Sequence, residues 1–157
     1  MNKRILKKKE KELLRPYCYN EPKQMTYGKK TLINLERDGK FPIEILAEGK
    51  YLDYEFLIQN CCSHPTCYVR IPKNHKYYKE HYDFIDIECH GGLTFTGIPR
   101  SKRDSSSDDE WWIGWDYAHC GDMYWNPKHP FALDGHKYTT EELFNDVKDV
   151  ILQLSNP

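Results

Sequence analysis

The chain has 157 residues, a net charge of −1, 30% charged and 14% aromatic residues, and six cysteines. That length suits one domain with its own core. The near-zero charge removes the electrostatic case for nucleic-acid binding, and no apolar run approaches the roughly 18 residues of a membrane span.

Residues 1–15 read as a basic helical segment with Ile5, Leu6, Leu13 and Leu14 as a thin apolar stripe, stopped by Pro16. No apolar stretch follows the basic start, so a cytosolic protein is expected rather than a secreted one. In that setting six cysteines read as free thiols or metal ligands, not a disulfide framework. Residues 16–30 read as loop and 31–35 as a short helix or strand. A strand is expected within 41–46. Residues 50–59 alternate, with Leu52, Tyr54, Phe56 and Ile58 on one face, and predict a half-buried strand. Residues 67–71 predict its hairpin partner.

Residues 83–89 alternate again and run into His90-Gly91-Gly92, where the two glycines suggest a bulge or kink before a strand over 93–97. Residues 98–110 are a polar stretch, either a mobile lid or a plain connection. Residues 111–116 predict a strand, with Trp111, Ile113 and Trp115 on one face and Trp112 on the other. Thr139 and Glu142 match a capping box, followed by an apolar helical face of Leu143, Val147, Val150, Ile151 and Leu154. The expected fold is α+β: a mainly antiparallel sheet packed by a C-terminal helix, with an extra N-terminal basic helix. One domain spans 1–157, with 1–45 as an extension, 50–125 as the motif-bearing sheet region and 139–154 as the last helix.

Chemistry concentrates in residues 90–97 and 111–122. His90, Asp116, His119 and Asp122 bring two imidazoles and two carboxylates, which suit a divalent metal or general acid–base work. Gly91, Gly92 and Gly121 could expose backbone N–H groups to an anion, although no helix start or Lys-Ser/Thr follows as in a phosphate loop. A tryptophan such as Trp112 could stack on a base. Cys61, Cys62, His64 and Cys67 are a weaker zinc reading. Cys18, Cys89 and Cys120 are scattered.

Cys67-Tyr68-Val69-Arg70-Ile71-Pro72, Asp83-Phe84-Ile85-Asp86-Ile87, residues 90–96 and residues 111–122 follow one another in the order of a known pattern. That pattern is a Gly-Tyr-Val-Gly-Val-Pro-like strand, an Asp-Ile-Asp-Val segment, His-Gly-Gly-Leu-Thr-Tyr-Ser, and Trp-Trp-x-Gly-Phe-Asp-x-Ala-His-x-Gly-Asp. The chain thereby resembles a family of small phage and prophage proteins over roughly residues 50–125. It departs from the pattern at Arg70 for Gly, Phe95 for Tyr, Thr96 for Ser and Trp115 for Phe. The resemblance implies a phage product acting in the bacterial cytoplasm. By association with other small phage proteins, it implies a role against host defence.

The first expectation is a binding protein, leaning away from an enzyme, that sequesters a phosphate-bearing nucleotide-like ligand. His90, Gly91, Gly92, Thr94, Trp112, Asp116, His119 and Asp122 would form the site, with no cofactor. The alternative is a metal-dependent hydrolase with the ion on His90, Asp116, His119 and Asp122. A third reading is a protein inhibitor of a host enzyme, or of a host defence protein, acting through Tyr77, Tyr78 and Tyr82. No membrane and no nucleic-acid partner is expected, and self-association stays open.

Overall fold

The computed structural model describes residues 3–4, 43–60, 64–124 and 134–156. Of the expected N-terminal helix only Lys3 and Arg4, both helical, fall among them; the rest of 1–42 lies outside the described residues, as do Cys61 and Cys62.

Among the described residues, five strands form one antiparallel sheet: β1 (Glu44–Tyr51), β2 (Tyr54–Asn60), β3 (Pro65–Arg70), β4 (Phe95–Gly97) and β5 (Trp112–Asp116). Their spatial order is β1-β2-β3-β5-β4. A long helix, α1 (Thr140–Ser155), packs on the sheet. Register places Phe56 opposite Val69, Ile58 opposite Cys67, Val69 opposite Ile113 and Cys67 opposite Trp115. Period-two alternation sends these side chains to one face. There they join Leu143, Phe144, Val147, Val150, Ile151 and Leu154 of α1 in a single buried core. The expected apolar face of the helix is therefore the buried one. Thr139 caps α1 by accepting from the Glu142 N–H at 3.2 Å, and its hydroxyl donates to the Glu142 carboxylate at 3.3 Å. At the other end, Tyr54 Oη and His75 Nε2 donate to the Leu154 carbonyl at 3.2 and 3.0 Å, satisfying an acceptor the helix leaves free.

The expected single strand over 50–59 is two strands. Leu52 and Asp53 have φ of 46° and 67°, and Tyr51 pairs with Tyr54 across them, a two-residue hairpin turn. Leu52 is accordingly exposed at the turn instead of facing the core. The expected strand over 83–89 does not form either. Tyr82–Phe84 is a single 3-10 turn capped by His81, and 85–89 joins no ladder. Side chains take the place of a ladder there. Glu88 N–H donates to Gln153 Oε1 at 2.8 Å, Gln153 Nε2 donates to the Glu88 carbonyl at 2.7 Å, and Asp86 N–H donates to Tyr77 Oη at 3.3 Å. The strand expected over 93–97 is shortened to Phe95–Gly97.

On the outer face, opposite α1, Leu57, Gln59 and Trp112 are buried. Segment 98–110 is fastened near them. Ser101 Oγ donates to Gln59 Oε1 at 2.8 Å, Lys102 Nζ pairs with Glu48 at 2.8 Å, and Tyr78 Oη donates to the Asp109 carbonyl at 2.6 Å. The Lys73 ammonium also pairs with Asp109 and holds its carboxyl down at about 2.

Candidate functional site

The end of β5 runs into a turn that returns to the chain before β4. Asp116 closes β5, and its Oδ1 accepts from the Ala118 N–H at 3.3 Å, a side-chain turn that starts the reversal. Asp122 N–H then bonds to the His119 carbonyl at 3.0 Å. The Asp-x-x-His-x-x-Asp spacing is thus the spacing of a compact turn, with no helix beneath it.

Four of the expected residues meet as two imidazole–carboxylate pairs. His90 Nε2 lies 2.7 Å from Asp122 Oδ2, and the Asp122 side chain is only 3% exposed. The same oxygen accepts the His119 N–H at 3.0 Å. His119 Nε2 lies 2.9 Å from Asp116 Oδ1 but makes no hydrogen bond, so the oxygen sits off the N–H direction and the contact is electrostatic only. The two rings lie 5.7 Å apart. Thr94 joins by donating from Oγ1 to Asp116 Oδ2 at 3.2 Å.

Gly91 and Gly92 form the turn beside them, with φ of 68° and 81° and the Gly92 N–H bonded to the Cys89 carbonyl at 3.0 Å. A side chain on Gly91 would overlap the His119 ring, whereas the space at Gly92 is open. The expected bulge is therefore a left-handed turn that lets the backbone approach His119.

Trp112 is not brought into this cluster. It lies four residues before Asp116, about 13 Å along the strand, buried on the outer face opposite Gly97 and Arg70. Trp115 is buried in the core, and Trp111 is half-buried with its Nε1 donating to the Glu80 carbonyl at 3.2 Å. Cys67, the described cysteine of the zinc reading, is wholly buried in the core, and burial raises its thiol well above the ordinary range.

Several residues that build the site were not singled out from sequence. Tyr117 stacks on His90 with ring centres 4.5 Å apart and planes 11° from parallel. Its hydroxyl donates to Asp146 of α1 at 2.5 Å and accepts from Trp115 Nε1 at 3.1 Å. Burial raises the Tyr117 hydroxyl, reinforced by Cys67 and Asp146. Tyr138 packs edge-on against His90 at 5.3 Å, and burial followed by the Asp122 carboxylate raises its hydroxyl as well. His136 pairs with Glu142 at 2.6 Å and bridges the 121–123 backbone. For Tyr117 a signal existed, because alternation through Trp115 continues to it. His136, Tyr138 and Asp146 carry no local signature.

The Asp116 and Asp122 carboxylates contact imidazoles, a hydroxyl and backbone N–H groups of the same turns. His90 and His119 remain a quarter to a third exposed, at 25% and 34% of their side-chain surface. An imidazole held by a carboxylate can donate a hydrogen bond to a ligand or exchange a proton with it. Among the described residues, no group of three or more His, Cys, Asp and Glu is arranged to hold a metal ion. Nor is any described helix long and apolar enough to cross a membrane. No family model, curated protein or solved structure matches the chain.

Proposed function

We propose that this chain is a phage accessory protein that captures a phosphate-bearing, nucleotide-like ligand at the His90–His119 site. Acting in the bacterial cytoplasm, it withdraws that ligand from host defence. The observation that carries the binding reading is the pairing of two partly exposed imidazoles, each facing a carboxylate, beside the Gly91-Gly92 turn, which is open at Gly92. The two imidazole rings lie 5.7 Å apart and can donate to an anion when protonated, and Tyr138, half-buried against His90, offers a ring beside them. The phage assignment and the role against host defence rest on the resemblance of residues 50–125 alone.

Thermal unfolding of the purified chain with a panel of mono-, di- and cyclic nucleotides tests the reading. A saturable rise in Tm is expected, lost in His119→Ala with the circular dichroism spectrum unchanged. If no nucleotide raises Tm, and the protein carries no small molecule out of lysate, the reading is wrong.

A hydrolase using the same residues is the second reading. It is favoured by how firmly His90 is held, between a nearly buried Asp122 and the flat face of Tyr117. An oriented imidazole of that kind suits a general base. In its metal-dependent form, His90, Asp116, His119 and Asp122 would be the ligands. Recovery of cleaved rather than intact nucleotide favours this reading. Elemental analysis of protein purified without chelator separates its two forms: a stoichiometric ion lost in His119→Ala marks the metal-dependent one.

A further inference from the structure

Around His90 the proton can be placed atom by atom. Asp122 Oδ2 accepts the His119 N–H at 3.0 Å and lies 2.7 Å from His90 Nε2. An oxygen already receiving one N–H is set to receive another, so Nε2 carries the His90 proton and donates. The Asp122 side chain is only 3% exposed, which shields this bond from water. The ring cannot turn freely, because Tyr117 stacks on it and Tyr138 packs edge-on against it.

A neutral imidazole has one ring proton, and with that proton on Nε2 the other nitrogen, Nδ1, is a bare acceptor. The hydrogen bond and the ion pair of the His90 side chain both run through Nε2. Among the described residues, the buried side-chain nitrogens without a partner are those of Trp112 and His119, not His90 Nδ1. A quarter of the His90 side chain is exposed, which leaves Nδ1 as its ligand-facing nitrogen. His119 differs: its Nε2 lies 2.9 Å from Asp116 Oδ1 without a hydrogen bond, so that contact fixes no tautomer.

We infer that His90 Nδ1 is the hydrogen-bond acceptor with which the site reads its ligand, and that Asp122 sets this by holding the proton on Nε2. What meets Nδ1 is then an O–H or N–H group. A deprotonated phosphate oxygen has only lone pairs to offer a bare nitrogen, so the phosphate lies elsewhere in the site. The ligand assignment rests on the nucleotide reading above, within which the donor is a sugar hydroxyl or an exocyclic amine; the tautomer does not depend on that reading.

The test uses the full chain labelled with 15N at pH 8, where an ordinary imidazole is neutral. Long-range proton–nitrogen correlation is expected to show His90 Nε2 protonated and Nδ1 bare. A proton on Nδ1, or one shared equally, overturns the inference. Asp122→Asn can donate as well as accept and is expected to release the proton to Nδ1; a folded variant with the tautomer unchanged refutes the role of Asp122, and if it does not fold the unaltered chain decides. Adenosine monophosphate is then added, beside its dideoxy analogue, which lacks the sugar hydroxyls, and inosine monophosphate, which lacks the amino group. Adenosine monophosphate is expected to move the Nδ1 signal saturably, and the analogue missing the donor to bind about fivefold or more weakly. Which analogue weakens identifies the donor. Binding with the Nδ1 signal unmoved, or equal affinity for all three, overturns the inference. No binding of adenosine monophosphate overturns the ligand assignment, whereas a reversed tautomer overturns the inference and leaves the nucleotide reading standing.

Discussion

At Gly91 the backbone is left-handed, and a methyl group there would enter the space of the His119 imidazole; at Gly92 the backbone is also left-handed, but nothing lies within 4 Å. The two glycines separate backbone cost from site cost. Each change to alanine pays for a left-handed conformation, about 1 to 2 kcal/mol. Only Gly91→Ala must also displace His119. Urea unfolding is expected to show both variants destabilised by about that amount, with the greater loss in Gly91→Ala. The imidazole NMR signals of His119 should move in Gly91→Ala and stay in place in Gly92→Ala. Identical His119 signals in the two variants would show that the close approach does not set the ring's position. The same contact gives Gly91 a physical role in the site.

At the scale of elements, the β1–β2 hairpin carries residues that do not suit its turn. Leu52 and Asp53 both have positive φ, where Asn and Gly are the favoured pair. The double change Leu52→Asn, Asp53→Gly is expected to stabilise the chain by about 1 kcal/mol, read as a higher Tm with an unchanged spectrum. A Tm that does not rise would refute the turn assignment. This turn also shows why the hairpin was hidden in the sequence: Tyr51-Leu52-Asp53-Tyr54 lacks a glycine, and the alternation of apolar residues carries straight across it. Helix α1 and strand β5 were legible because each repeats one period over its whole length, and in α1 the capping box marks the start. The non-strand at 85–89 was not, because the groups that bond its backbone, Gln153 and Tyr77, lie far along the chain or on the preceding turn. The same logic governs the site. His90, Thr94, Asp116, His119 and Asp122 sit in two short motifs and could be picked out together. Tyr138, His136 and Asp146 reach them only through the packing of α1 and its approach. Alternation separated Trp112 from Trp115, but it could not say that both faces of β5 would be covered.

Across the whole molecule, the sheet, α1 and the site meet at Tyr117, whose ring lies on His90 and whose hydroxyl reaches Asp146. Cys67 and Cys89 are beside this junction. Burial pushes the Cys89 thiol up to about 12 from its ordinary 9.0, with Asp146 and Asp116 adding to the rise. Burial likewise raises Cys67 and Tyr117. In the unfolded chain these groups lose their protons near their ordinary values, while the folded chain retains them. Between about pH 9 and 12 the unfolded state therefore binds fewer protons, and each step upward in pH favours unfolding. Their contribution to stability is complete below pH 9 and declines as the pH climbs toward the folded values. Urea unfolding at pH 8, 9, 10 and 11 is expected to give a midpoint that falls progressively above pH 9. Cys89→Ala removes one of the three groups, so its midpoint should fall less steeply, even though lost packing lowers it at pH 8. A midpoint that is flat from pH 8 to 11, or a slope unchanged in Cys89→Ala, would mean that Cys89 is not held protonated by the fold.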